Sequence, residues 1–137
     1  MRCRYTLRGH ADAVNSVEFL HFSNTVLTAS ADKTLSLWDG RTGLVAHTFY
    51  GHMHAVNQAT FNMKGDTIVS CDSLGIVKFW DVRKVAVIET HDFGPYSANS
   101  VTFNPLSTMV TAASDDGSIK SYNLQSNHVS VNYYVSK

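Results

Sequence analysis

Cysteine is scarce in this 137-residue chain: only Cys3 and Cys71 occur. Two thiols supply neither a disulfide framework nor the paired spacing of a thiolate metal site, and since both fall in expected strands they read as buried and reduced. Net charge is missing as well, because eleven basic residues balance eleven acidic ones. No long-range field therefore draws the chain to nucleic acid or to an anionic membrane. No apolar run approaches the about eighteen residues of a spanning helix, and Met1-Arg2-Cys3-Arg4 is not followed by the apolar stretch of a signal peptide. These absences point to a soluble, intracellular protein. Catalytic signatures are absent too: there is no Gly-x-Ser-x-Gly elbow, no histidine-paired thiol, and no glycine-rich loop running into Lys and Ser or Thr.

What the chain does contain is repetition. Gly9-His10 and Trp38-Asp39 return as Gly51-His52 and Trp80-Asp81, each displaced by forty-two residues. The same displacement aligns Phe19, Phe61 and Phe103, then Leu35, Val77 and Ile119, then Trp38, Trp80 and Tyr122. Three units fit, at about 9–50, 51–92 and 93–135. In the third, Phe93-Gly94 stands for Gly-His and Tyr122-Asn123 for Trp-Asp, so the apolar skeleton persists while the polar signature is lost.

Within each unit, short apolar alternations are cut by turn residues, the pattern of antiparallel strands. The first unit reads as Val14 to Leu20, Val26 to Ser30, Thr34 to Trp38 and Leu44 to Tyr50. The second reads as Val56 to Phe61, Thr67 to Cys71, Ile76 to Trp80 and Val85 to Thr90. The third reads as Ser100 to Asn104, Thr108 to Ala113, Ser118 to Tyr122 and His128 to Tyr134. Phe22-Ser23-Asn24-Thr25, Ala31-Asp32-Lys33 and Lys64-Gly65-Asp66 supply turns rich in Gly, Asn and Asp. Cys3 to Leu7 reads as an additional outer strand at the N-terminus.

A period near forty with Gly-His at one end and Trp-Asp at the other resembles the WD40 repeat family. The resemblance implies an all-β fold, a partial β-propeller of three four-stranded blades plus the extra N-terminal outer strand. Propellers close with about four to eight blades, so the expectation is a fragment or short isoform of a larger propeller, or a unit that joins further blades in trans.

The family resemblance also implies a buried chain of hydrogen bonds from the Gly-His histidine through a turn aspartate and a hydroxyl to the indole. In the first unit it maps onto His10, Asp32, Thr28 or Ser30, and Trp38. The second has His52, Ser70 and Trp80, but Leu74 occupies the aspartate's position, with Asp72 two residues earlier as a partial substitute. The third keeps Asp116 but has Gly94, Ala112 and Tyr122 at the other positions. The expectation is therefore a first blade best ordered and a third weakest. The family's usual contact face, carrying the Gly-His loops and the tight turns, would collect Asp12, Lys33, Met53, His54, Ser73 and Tyr96 for partner binding.

Seven histidines invite a metal reading, and His52 with His54 is the nearest approach to a ligand pair. No third ligand follows at a suitable spacing, so His52 reads as a network member and His54 as an exposed loop residue. Asp115-Asp116-Gly117 likewise reads as a tight turn rather than an acidic catalytic site. No cofactor is implied.

A narrower resemblance rests on Ala29 to Asp39 with Arg41-Thr42-Gly43, on Tyr50 to His54 with Gly65-Asp66 and Ser70-Cys71-Asp72, and on Phe93-Gly94-Pro95. Over about residues 7 to 120 these look like the C-terminal repeats of the sperm-associated antigen 16 family of WD-repeat proteins; from Asn123 onward the likeness fades. It implies a non-enzymatic scaffold of motile cilia and flagella, partnered by central-apparatus proteins of the axoneme, cytoskeletal, with no nucleic acid or membrane partner. The alternative is a general adaptor domain in a signalling, autophagy or ubiquitin-ligase complex.

Overall fold

The computed structural model describes residues 6–124 and the backbone of the strand 128–134. All of its regular structure is β, and among the described residues no helix is long and apolar enough to cross a membrane. The first sheet is β1 (Val14–Phe19), β2 (Thr25–Ser30), β3 (Thr34–Asp39) and β4 (Leu44–Tyr50), in that spatial order. The second is β5 (Val56–Phe61), β6 (Thr67–Asp72), β7 (Ile76–Asp81) and β8 (Ala86–Asp92). The third is β9 (Ala98–Phe103), β10 (Met109–Ser114), β11 (Ser118–Asn123) and β12 (His128–Tyr134), again ordered as in the chain. Every neighbouring pair is antiparallel. Three antiparallel four-stranded sheets are the blades of the partial propeller anticipated from the repeat.

Strand boundaries depart from expectation by one or two residues, and one departure has a clear cause. Val85 sits at φ 53°, closing the turn before β8 instead of opening the strand. The expected outer strand over Cys3 to Leu7 falls mostly outside the described residues; its last two, Thr6 and Leu7, form no strand.

Two cores lie between the three sheets. One joins Leu27, Leu35, Leu37 and Phe49 of the first sheet to Val56, Ala59, Phe61, Ile68 and Trp80 of the second. The other joins Val69, Cys71, Val77 and Phe79 of the second to Phe93, Ala98, Val101, Val110, Ala112 and Tyr122 around the third. Side chains alternate across a pleated strand, so in β6 Ile68 enters one core while Val69 and Cys71 enter the other. The middle sheet is thus covered on both faces, a difference in burial that comparison of the hydrogen-bonded signatures alone does not register. In the first sheet Val14, Val17 and Phe19 stay 51 %, 67 % and 61 % exposed, whereas their second-sheet counterparts Val56, Ala59 and Phe61 are 0 %, 1 % and 6 % exposed.

A feature not anticipated from sequence stitches the sheets together. The pairing of each first strand with its neighbour skips one residue, between Val14 and Ser16, between Val56 and Gln58, and between Ala98 and Ser100. The skipped residue is asparagine each time: Asn15, Asn57 and Asn99. A bulge re-aims its side chain out of the pleat. Asn15 Nδ2 donates to the Val56 carbonyl at 2.9 Å, and Asn57 Nδ2 to the Ala98 carbonyl at 2.8 Å. Asn99 turns instead to the Asp115 carboxylate of its own sheet. Further rungs follow: the Ala59 N–H donates to Ser16 Oγ at 3.3 Å, Thr60 Oγ1 to Glu18 at 2.7 Å, and the Val101 N–H to Gln58 Oε1 at 2.8 Å.

Candidate functional site

The loop before β1 brings His10 over the end of the first sheet. Its Nδ1 lies 2.9 Å from Asp32 Oδ2 and its Nε2 2.6 Å from Thr28 Oγ1, which also accepts from Trp38 Nε1 at 2.8 Å. One proton arrangement satisfies the whole chain. The carboxylate only accepts, so Nδ1 carries the hydrogen; in the neutral ring Nε2 then accepts from the Thr28 hydroxyl, whose oxygen takes the indole N–H. Of the two hydroxyl candidates it is Thr28 that joins. Ser30 instead donates to the Ala13 carbonyl at 2.9 Å and accepts from the Asp32 N–H at 3.1 Å, holding the turn.

The second sheet rebuilds the same geometry from a different aspartate. His52 Nδ1 lies 2.9 Å from Asp72 Oδ2, Nε2 lies 2.6 Å from Ser70 Oγ, and Trp80 Nε1 donates to Ser70 Oγ at 2.8 Å. The expectation of a partial substitute is therefore corrected to a complete one. Asp72 stands at the strand-end position that Ser30 occupies in the first sheet, and its Oδ1 caps the turn through the N–H groups of Leu74 and Ile76 at 2.9 and 3.0 Å. The His52–Asp72 side chains are each 1 % exposed, against 5 % and 12 % for His10 and Asp32.

Burial alone raises a carboxyl pKa, but hydrogen bonds that favour the ionised form outweigh it here. Thr34, Ala11 and His10 hold Asp32 well below the usual carboxylate range. For Asp72, too, burial is outweighed, and His52 with the N–H groups of Ile76 and Leu74 lowers the carboxyl from its ordinary value. Cys71, beside Asp72 and buried, has its thiol pushed up to about 12 by desolvation.

The third sheet lacks this chain. Ala112 and Tyr122 are buried, and the Tyr122 ring lies 4.0 Å from that of His91. Burial, and then the nearby Glu89 carboxylate, hold the phenol above its ordinary pKa. Asp116 caps its own turn through the Ser118 N–H at 2.8 Å, and the Ser118 hydroxyl and backbone bonds bring its pKa down to about 2. Asp115-Asp116-Gly117 is a turn, as read from sequence.

Of the six residues assigned to the contact face, Asp12, Lys33, Met53, His54 and Tyr96 are exposed and Ser73 is half-buried. Met53 and His54 line a cleft of about 610 Å³ whose walls include Leu74, Lys78 and Pro95. Asp12 lines a different depression together with Val14, Val17 and Trp38. Lys33 holds φ 75° at the turn position where the other sheets have Gly75 and Gly117. Both ring nitrogens of His52 are engaged, so the His52 and His54 pair offers one imidazole, and among the described residues no group of three His, Cys, Asp or Glu could hold a metal.

The bulged asparagines are the residues sequence reasoning missed, while Leu74 was noted only as standing in the turn aspartate's place. Asn15, Asn57 and Asn99 were readable, since they recur at the same forty-two-residue displacement as the tryptophans.

The WD40 family, described as "WD domain, G-beta repeat", matches residues 1–39, 43–81 and 83–123. Each matched unit ends at the Trp-Asp position or its Tyr-Asn equivalent, so its phase differs from that of the sheets. Among curated proteins, a WD repeat-containing protein 89 homolog of Dictyostelium discoideum is 45 % identical over 42 residues, 31 % of this chain and 12 % of that protein. A probable E3 ubiquitin ligase complex SCF subunit sconB of Arthroderma benhamiae is 51 % identical over 43 residues, 31 % of this chain and 6 % of that protein. Human striatin-4 is 42 % identical over 43 residues, again 31 % and 6 %. The matched segment is a small part of each relative.

Proposed function

Because the chain belongs to the WD40 repeat family, we propose that it acts as a non-enzymatic scaffold that binds other proteins, using its loop face and the open face of its first sheet. Repeat frames of this kind present loops and end faces from a rigid stack.

The observation that carries this reading is the contrast between two equivalent faces. Val14, Val17 and Phe19 are exposed where Val56, Ala59 and Phe61 are sealed by the neighbouring sheet. Covering what remains exposed of such side chains contributes about 1–2 kcal/mol each. The Val14 carbonyl corresponds to those of Val56 and Ala98, which accept from the asparagine of the preceding sheet. The occupant that matches is a further blade, supplied in trans or by a longer chain.

At a finer level we place the scaffold in the axonemal central apparatus of motile cilia and flagella, a cytoskeletal location. The support is the sequence likeness over about residues 7 to 120. With zero formal net charge and no steering field toward acidic tubulin, contact runs through another axonemal protein. A second reading, an adaptor in a signalling, autophagy or ubiquitin-ligase complex, is favoured by the 51 % identity to the sconB segment.

Capture of the tagged chain from ciliated cells, with mass spectrometry and imaging, separates the two. Central-apparatus proteins and ciliary localisation support the first, and ligase or signalling components with diffuse staining support the second. Val17→Glu and Phe19→Glu, both at exposed positions, should abolish capture through the open face; unchanged capture overturns the role given to that face.

A further inference from the structure

The cleft beside the second sheet's tight turn has a lining that the fold does not require. Forty-two residues earlier, the positions of Met53, Leu74, Ile76 and Lys78 are held by the small or polar Ala11, Asp32, Thr34 and Ser36, of which Asp32 holds His10 and Thr34 holds Asp32. In the second sheet Asp72 has taken over the histidine from inside the strand. Position 74 is thereby released from structural duty, and it carries a leucine that is 47 % exposed, with Met53 74 % exposed across the cleft. Neither side chain is buried within this chain, whereas apolar walls with a few placed polar groups suit a binding cleft.

The walls are also fixed in advance. Gly75 at φ +81° lies so close to the linker that an added Cβ would meet the Gly94 and Tyr96 carbonyls at 2.3 and 2.6 Å. The Phe93 N–H donates to the Gly75 carbonyl at 2.9 Å, the Phe93 ring is buried, and the Gly94 N–H is capped by Asp92 at 2.9 Å. A preformed wall lowers the ordering entropy of binding. Charge defines the polar end. Lys78 Nζ donates to Thr90 Oγ1 at 3.0 Å, and among the described residues it has no carboxylate partner. Asp92 also lines the cleft, with one oxygen committed to Gly94.

We propose that this cleft binds an extended peptide, taking an aliphatic side chain between Met53 and Leu74 and an adjacent carboxylate on Lys78. The proposal rests on the protein-binding reading above and names the chemistry of one partner segment.

A random peptide phage library panned on the full chain tests it. The expected clones share a Leu, Ile or Met within two positions of an Asp or Glu. As synthetic peptides they bind Leu74→Asp and Met53→Ser at least tenfold more weakly, and Lys78→Gln removes the preference for the acidic residue. Leu74→Asp installs the residue the first sheet carries at this turn, and Met53→Ser changes an exposed loop side chain, so circular dichroism should show both folded. No enrichment over an empty support, or equal binding by both variants, overturns the cleft. Capture of cellular partners through the open face of the first sheet, which neither variant touches, is read separately and bears on the scaffold reading alone.

Discussion

Ser70→Ala is the sharpest perturbation of the buried network. The Ser70 hydroxyl is fully buried and serves two partners, His52 Nε2 at 2.6 Å and Trp80 Nε1 at 2.8 Å. Removing one oxygen strands an imidazole nitrogen and an indole N–H away from water. Each unsatisfied buried group costs about 1–3 kcal/mol, and partial relaxation places the total near 3 kcal/mol. With an unfolding entropy of about 2.1 cal/mol/K per residue over 137 residues, that is a fall in Tm of about 10 °C. Urea unfolding followed by far-UV circular dichroism measures it without relying on Trp80 fluorescence. In a double-mutant cycle with Trp80→Phe, which removes the indole donor, the Ser70→Ala loss should shrink by about 1–2 kcal/mol. A loss below about 0.5 kcal/mol, or strict additivity with Trp80→Phe, refutes the shared-hydroxyl reasoning.

Other consequences are open to measurement. Gly75→Ala combines a left-handed φ of +81° with contacts of 2.3 and 2.6 Å to two carbonyls and should cost about 2–4 kcal/mol in urea unfolding; a neutral result contradicts the tight wall. Asp32 and Asp72 have folded pKa values below their unfolded ones, so the folded state binds fewer protons and stability is present above about pH 4 and lost as pH falls further. Tm should therefore drop between about pH 5 and pH 2.5, with a shallower slope in Asp72→Asn; an unchanged slope contradicts the assignment. Cys71, fully buried with its thiol pushed up to about 12, should resist iodoacetamide at pH 8 in the native chain and react once the chain is unfolded. Modification at equal rates in both states contradicts its placement in the core.

Much of the architecture was legible because a propeller blade writes itself into sequence twice, as a forty-two-residue displacement and as period-two apolar alternation. Leu44–Tyr50 and Val56–Phe61 were readable to the residue because alternation there ends at turn residues. Position-by-position comparison failed where geometry permits two routes to one atom. Asp72, the last residue of β6, and Asp32, in the turn after β2, differ by two places in the repeat, yet both carboxylates reach the histidine Nδ1 at 2.9 Å. The bulges at Asn15, Asn57 and Asn99 were invisible to strand reasoning, which assumes unbroken alternation. The ranking of sheets also depended on burial, which follows from neighbours and not from a unit's own residues. Leu74 became intelligible only once Asp72 was seen to replace the missing aspartate.

The open face of the first sheet is the surface on which assembly turns. Hydrogen exchange of the captured complex against the free chain, read at the amides of Val14–Phe19, tests it. In the free chain these amides should exchange faster than those of Thr67–Asp72 in the middle sheet, and in the complex they should become protected. Equal protection of the two strands in the free chain, or no change at Val14–Phe19 on assembly, contradicts it.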